Sequence, residues 1–431
     1  MKLGIMRTIR KLLLTAGVIC LGFIQSTQAQ TSTLQPISLQ TVEDSFLVRN
    51  YALLAQRYQI DASQALIRQA KIWSNPSFSA LLGFGSTNNI QPFKIGKDGE
   101  TGYSIDQLIQ LAGKRNKNIQ LATTATRMSE ATFDELLRTL KLQLRENYFN
   151  LYYQQQTGKV LKEQLDNLQT IVKAYVDADQ KGSVAHADLI RLQALQVGLE
   201  NDYADLKQQE LESQKNLQQL LHSHDFYEAR LGSTELASYS LDKLQLQQLL
   251  DTAGINRPDV RVADLEYQTA HLNYRLQKAM AVPDLHVGAS YDKQGSYVDN
   301  FVGLTLGIDL PLWNRNQGNI RSAASQIKVN QQQLLQQQSI AQTEVLNAWQ
   351  QIITLEKRYK SFDLHQFQGE FDTLINEVAK NFSKGNITLL QFIDYFNSYS
   401  DNAKNINTFL SKRVNAYEEL NYATGQELFK K

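Results

Sequence analysis

The hydrophobic positions of this chain change period in a fixed order, and then repeat that order. A helical pattern from about Leu39 to Trp73 ends at Asn75-Pro76, and another from about Pro258 to Met280 ends at Val282-Pro283. Proline cannot continue a helix interior, so each pattern predicts a helix followed by a stop. Two segments of period two come next in each half. In the first, Phe78, Ala80, Leu82 and Phe84 share one face, and Tyr103, Ile105 and Ile109 stand opposite Ser104, Asp106 and Gln110. In the second, Leu285, Val287, Ala289 and Tyr291 alternate with Asp284, His286, Gly288, Ser290 and Asp292. Val302, Leu304, Leu306, Ile308 and Leu310 then alternate with Gly303, Thr305, Gly307 and Asp309. Alternation of this kind predicts strands that are apolar on one side, joined through the glycine- and asparagine-rich stretches 83–102 and 293–300. Their length, about ten residues, suits a tilted strand crossing lipid. It also suits hairpins half-buried in a soluble sheet.

A very long helical pattern follows each pair of strands. From about Lys114 to Gln180 and from about Gln317 to Ser383 there is no proline and almost no glycine. Some 67 residues at 1.5 Å each would span about 100 Å. Leu161, Leu165, Leu168, Val172 and Tyr175 recur at steps of three and four, the spacing of a coiled-coil seam. The other faces, with runs such as Gln331 to Gln333 and Gln336 to Gln338, require water. Each pattern stops at a glycine, Gly182 or Gly385, and a second helix is predicted to about Leu221 and about Tyr422. The turns are short, so the second helix must run back beside the first.

The two halves are therefore one unit written twice. LAGKRNKNIQLA at Leu111 to Ala122 lies over LWNRNQGNIRSA at Leu312 to Ala323, Asn50 to Leu53 over Arg257 to Val260, and Lys181-Gly182-Ser183 over Lys384-Gly385-Asn386. The separations are all 201 to 207 residues, which places a signal peptide at 1–29, a first repeat at 30–221, a linking region at 222–256 and a second repeat at 257–431. The expected fold is mainly α with a small β part. Four strands cannot close a barrel, and an open edge in lipid leaves backbone groups unpaired, so the barrel reading requires sister copies.

The first 29 residues carry Lys2, Arg7, Arg10 and Lys11 before an apolar run from Leu12 to Ile24, with small residues at Thr27 and Ala29, as an export signal does. Thirteen apolar residues are too few for a spanning helix. Cleavage after Ala29 would remove Cys20, the single cysteine, leaving no disulfide and no thiolate ligand; Ile19 stands where a lipoprotein signal wants a small residue. It would also turn 44 basic and 43 acidic residues into 40 and 43, which argues against a nucleic-acid partner.

In order and in duplicate, these segments resemble the TolC family of outer-membrane efflux proteins across essentially the whole mature chain. The residues that carry the resemblance are Asn75-Pro76, Val282-Pro283, LIQLAGKR at Leu108 to Arg115, RPDV at Arg257 to Val260, LPLWNRNQGNI at Leu310 to Ile320 and NFSKGNITLLQFIDY at Asn381 to Tyr395. The GKR and PLWNRNQGNI segments look most like the branch that exports cobalt, zinc, cadmium, copper or silver. What the resemblance implies is a homotrimer in the outer membrane, with a twelve-stranded β-barrel continuous with a periplasmic α-helical coiled-coil barrel. It further implies a periplasmic adaptor (membrane fusion) protein and an inner-membrane pump of the resistance-nodulation-division type. The adaptor-docking tips match Lys181, Gly182, Ser183, Lys384, Gly385, Asn386 and Ile387. The acidic tunnel constriction matches Asp188, Gln391 and Asp394, with glutamine standing where the family's familiar pattern is acidic. Trp73, Lys114, Arg115 and Trp313 fall at the barrel-to-helix junction, either as an interfacial aromatic and basic belt or as ordinary packing.

The rest of the chain offers little chemistry. Histidines at 186, 222, 224, 271, 286 and 365 are scattered, and the His222-x-His224 pair has no third ligand at metal-site spacing, so no metal or cofactor is expected. There is no Walker loop, dinucleotide fingerprint, GxSxG or HExxH, so no enzyme is expected. Three functions remain open: a passive efflux duct, a type I protein secretion duct, and a non-conducting periplasm-spanning scaffold or adhesin.

Overall fold

A computed structural model describes residues 34–429 apart from 84, 87, 88, 91–100, 233–235, 237, 243, 295–297 and 362. The proposed signal peptide with Cys20, Phe84 and most of the first hairpin loop lie outside the described residues, as do 295–297 of the second. The first repeat contains β1 (Gln35–Ser38), α1 (Leu39–Arg49), α2 (Tyr51–Lys71), β2 (Ser77–Leu82), β3 (Thr101–Ile109), α3 (Lys114–Gln180) and α4 (His186–Leu221). A short β4 (Tyr227–Arg230) and α5 (Leu246–Asn256) follow. The second contains α6 (Pro258–Met280), β5 (Leu285–Gln294), β6 (Val298–Ile308), α7 (Gln317–Lys360), α8 (Leu364–Ser383) and α9 (Leu389–Thr424). No helix among the described residues is long and apolar enough to cross a membrane.

Two expectations about continuous helices need correction. The Leu39 to Trp73 pattern is two helices, because the Asn50 side chain caps α2 by accepting from the amides of Ala52 and Leu53 while its Nδ2 donates to the Leu220 carbonyl. The Gln317 to Ser383 pattern is also two helices, of 44 and 20 residues. There α7 ends at Ser361, and the Asp363 carboxylate opens α8 by accepting from the Gln366 amide at 3.0 Å. By contrast, α3 runs unbroken for 67 residues.

One antiparallel sheet takes the order β2-β3-β5-β6, so strands from both repeats pair side by side. The register puts Phe78, Ile105, Ala289 and Leu304 in one row and Ala80, Tyr103, Tyr291 and Val302 in the next. Side chains alternate between faces, so these rows share a face with Leu306 and Ile308, while Ser79, Ser104, Ser290 and Gly303 line the other. The β2 and β6 strands each keep one edge with no partner among the described residues.

The main core lies midway along α3, around Leu144, Tyr148, Phe149, Leu151 and Tyr153, where α1, α5, α7, α9 and the parallel pair β1-β4 close over it. Side-chain amides seal the outer edge of β4: Gln155 and Gln214 each donate to the Tyr227 carbonyl, and their oxygens accept from Ala229 and Tyr227. A buried ion network crosses this core, with Arg145 held by Glu43 at 2.6 Å and Glu418 at 2.8 Å, and Tyr239 donating to Glu418 at 2.5 Å. A second core, nearer Gly182 and Gly385, gathers Leu161, Leu165, Leu168 and Val172 with Leu192, Phe382, Phe392 and Phe396.

Each repeat joins its returning helix to its opening helix, through different contacts. The end of α4 turns through left-handed His222, whose Nε2 accepts from the Tyr51 amide at 3.1 Å at the start of α2. The end of α9 turns through Gly425, whose φ of 68° suits glycine. An added Cβ there would lie 3.2 Å from Arg257, which precedes α6 and donates to the Ala423 carbonyl. Arg257 is fully buried, bonding Asp259 and, on α7, Glu344 at 2.5 Å. Burial alone would raise the Asp259 carboxyl, but the Arg257 hydrogen bonds and the Arg138 charge hold it below the usual carboxylate range.

Arg257→Ala should therefore destabilise the folded chain by about 1–3 kcal/mol, because it removes the buried guanidinium that ties Asp259, Glu344 and the Ala423 carbonyl together, while Asp259 keeps Arg138 and Gln337. Since the folded Asp259 is the stronger acid, its contribution is complete at neutral pH and is lost as pH falls below its unfolded value of about 4. Thermal unfolding followed by circular dichroism should show the wild type losing stability through that acid window and Asp259→Asn losing less.

Candidate functional site

Three regions of the molecule can act on something outside it. The first is the sheet, whose hydrophobic face is uncovered: Leu304 is 86 % exposed, Leu306 77 %, Val302 73 % and Phe78 68 %. A soluble protein rarely leaves so many large apolar side chains together in water. The opposite face carries serines and glycines with Asp106, Asp292 and His286, and His286 Nδ1 lies 2.9 Å from Asp106. The sequence showed both faces of this sheet, but not the Asp106–His286 pair, which forms across a 180-residue separation.

The second region is the junction of sheet and helix. Lys114, the first residue of α3, donates to Asp284 and to the Val282 carbonyl, both at 2.7 Å, and Asp284 also accepts from the Leu111 amide. One carboxylate thus ties the start of α3 to the entry of β5. Arg115 lies over the Trp73 ring at 4.8 Å and donates through Nε to the Lys71 carbonyl at 3.0 Å. Of the four junction residues predicted, the structure brings Trp73 and Arg115 together, sends Lys114 to Asp284, and leaves Trp313 88 % exposed. Asp284 was visible only as a polar strand position; its partner lies 170 residues away.

The third region is the pair of helical turns. Lys181 and Lys384 are right-handed cap residues, and Gly182 (φ 67°) and Gly385 (φ 73°) follow in the left-handed region. In each, the glycine amide donates three residues back and the next amide five back: Gly182 to Asp179 and Ser183 to Ala178, Gly385 to Phe382 and Asn386 to Asn381. This double closure requires the positive φ that glycine alone adopts freely, and nothing else crowds either glycine. Lys181, Ser183, Lys384 and Asn386 are exposed and Ile387 is half-buried.

The residues beyond the turns differ between the repeats. Asp188 sits in the first turn of α4 and faces Tyr175 of α3, whose phenol is pushed up by burial first and by the Asp188 carboxylate second. Gln391 is committed locally: its Oε1 accepts from the Thr388 amide at 2.9 Å, and Thr388 Oγ1 accepts from the Gln391 amide. That capping box holds the start of α9. Asp394 is exposed. The first turn carries an unpredicted bridge, His186 Nδ1 to Asp179 at 2.9 Å. Among the described residues no three histidine, cysteine or acidic side chains are grouped to hold a metal ion.

The comparisons agree with this geometry. The profile of the outer membrane efflux protein family matches residues 43–222 and 249–426. The chain is similar to the cobalt-zinc-cadmium resistance protein CzcC of Cupriavidus metallidurans, 23 % identical over 302 residues that cover 70 % of this chain and 69 % of the relative. Its fold is similar to a solved CusC structure, with a TM-score of 0.73 at 18 % identity over 90 % of this chain and 92 % of that one. It is also similar to the open state of the Neisseria gonorrhoeae MtrE outer membrane channel, with a TM-score of 0.70 at 18 % identity over 90 % and 89 %.

Gly385→Val would force a branched side chain into the left-handed region at a cost of roughly 1–2 kcal/mol. It should speed proteolytic nicking between 383 and 389 without altering thermal unfolding of the α3 mid-helix core. Unchanged nicking would mean that the turn does not depend on its glycine.

Proposed function

The chain belongs to the outer membrane efflux protein family, whose members are outer-membrane channels extending into the periplasm and not enzymes, and on that premise we propose that it is one third of a passive exit duct. Three copies each contribute the four strands β2-β3-β5-β6 to a twelve-stranded barrel, and their long helices form a tube below it. The observation that carries this reading is the apolar sheet face, exposed on β2, β3 and β6 and half-buried on β5, and opposed by a face rich in serine, glycine and aspartate. In a barrel the first face meets lipid and the second meets water.

The helical turns supply the other end of the duct. Two exposed tips with the same backbone closure in both repeats suit docking by a periplasmic adaptor on Lys181, Ser183, Lys384, Asn386 and Ile387. An inner-membrane pump of the resistance-nodulation-division type then supplies the driving force; the sequence carries no Walker loop or dinucleotide fingerprint of its own. Asp188 and Asp394, in three copies, would place carboxylates near the tube entrance, where a ring of like charge attracts cations. Gln391 contributes its amide to the helix cap instead. The named activity of CzcC supports divalent metal cations as the cargo. Trp73 with Arg115 suits the headgroup boundary, where an aromatic ring and a cation are both stable.

Leu304→Lys tests the lipid face. A lysine facing the bilayer midplane costs about 2–4 kcal/mol in each copy, so the variant should be depleted from outer-membrane fractions relative to wild type. Thr305→Lys, on the opposite face, should insert normally. Equal insertion of both variants would contradict the barrel orientation.

A further inference from the structure

The polar face of the sheet carries one side-chain pair for which a neighbouring strand position has been kept clear. Asp106 on β3 stands directly across from Gly288 on β5, and His286 is two positions earlier on the same face of β5. The Asp106 carboxylate crosses diagonally to His286 Nδ1 at 2.9 Å. An added Cβ at position 288 would lie 2.5 Å from Thr305 Oγ1, 2.8 Å from the Ile105 carbonyl and 3.3 Å from Asp106 Oδ2. The space over Gly288 is thus filled by the carboxylate and the Thr305 hydroxyl, and no residue with a side chain fits there without moving backbone. Glycine inside a strand weakens it and marks a place where another group comes close.

This pair fixes the chemistry of the imidazole. An ionised carboxylate accepts hydrogen bonds and cannot donate one, so Nδ1 of His286 carries the hydrogen. In the neutral ring the lone pair is then on Nε2, for which no partner stands among the described residues. The His286 side chain is 38 % exposed, on the face that the barrel reading turns toward water. Histidines that ligate metals have this arrangement: a carboxylate on one nitrogen sets the tautomer, aims the ring and makes the other nitrogen more basic. Asp309, exposed just beyond β6, and Asp284, at the entry of β5, both bring negative charge to bear on His286. Lys114 offsets Asp284, whereas Asp309 has no ion pair among the described residues.

We propose that His286 Nε2, oriented by Asp106 and flanked by Asp309, is a transit site for divalent transition-metal cations such as Zn²⁺. This rests on the duct and the metal cargo proposed above. His286 lies two residues past Asp284, the carboxylate that ties the start of α3 to β5. Three copies would therefore form a girdle where the helical tube opens into the barrel, a level that every departing ion must pass.

One imidazole with water completing the coordination is a weak site, in keeping with the lack of any three-ligand group among the described residues. Weakness suits a conduit, because an ion must bind well enough to enter and loosely enough to leave. Imidazole also discriminates between cations. It suits zinc, nickel and copper, whereas carboxylate and water suit magnesium and calcium. The girdle would thus favour transition-metal cargo over ions that a purely acidic ring takes equally well.

Equilibrium dialysis of the detergent-purified assembly against Zn²⁺ at neutral pH tests the site, with Mg²⁺ as the comparison ion. Wild type should hold one Zn²⁺ per chain more than His286→Gln, and that substitution should leave Mg²⁺ uptake unchanged. Asp106→Asn keeps the imidazole but removes the charge that orients it, and should weaken this binding by about 10–100-fold. Gly288→Ala keeps both side chains but fills the space between them, and should weaken it in the same direction. Native mass spectrometry of each variant separates loss of a ligand from loss of assembly. Equal Zn²⁺ binding by wild type and His286→Gln, or loss of Mg²⁺ along with Zn²⁺, would overturn the site. Unchanged Zn²⁺ affinity in an assembled Asp106→Asn would overturn the orienting role of Asp106. An assembly that bound Zn²⁺ at His286 but passed no ions across planar bilayers would overturn the duct instead, and with it the place of the site on an exit path.

Discussion

A backbone amide or carbonyl left without a partner in hydrocarbon costs several kcal/mol, and the outer edges of β2 and β6 each carry a row of them. The same sheet presents Leu304, Leu306, Val302 and Phe78 on one face, which water disfavours as strongly as lipid disfavours the open edges. A single copy can satisfy one demand only by violating the other. Completing the sheet with strands from sister copies satisfies both, since every edge is then paired and every apolar row faces lipid. In the proposed assembly, quaternary structure is thus part of the fold of this chain.

The helices serve that arrangement by carrying its geometry away from the membrane. The Lys114–Asp284 bond fixes where α3 leaves the sheet, and 67 unbroken residues carry that direction past the central core to Gly182. At the core, His222 with Tyr51 and Gly425 with Arg257 perform one task by different means, linking a returning helix to an opening one. An imidazole accepts one amide in the first repeat, whereas a buried guanidinium gathers Asp259, Glu344 and a carbonyl in the second. The second join reaches α7 as well, which fits a repeat whose long helix is interrupted at Ser361.

Much of this was legible in the sequence because period and punctuation are local. The switch from period 3.6 to period two, the prolines at 76 and 283, and the glycines at 182 and 385 each act on their immediate neighbours, and the strands and turns appear where those signals stand. The break at Asn50 was missed because asparagine between helix formers reads as an exposed helical position until Leu220 approaches it. The break at 361–363 carried a signal that period analysis passes over: Asp363 three residues before Gln366, the spacing of a capped helix start. Thr388 and Gln391 have the same spacing, so the capping role of Gln391 was present in the sequence beside the constriction role that resemblance suggested. The contacts of Asp284 and Arg257 and the Asp106–His286 pair were not legible, since most of what each touches is set by tertiary structure across large separations.

The most direct test of the central claim is the mass of the detergent-purified mature protein by native mass spectrometry. Three chains, with precipitation when detergent is withdrawn, is the predicted result. A single chain that stays dissolved without detergent would show that its strands need no partners, and would contradict the account.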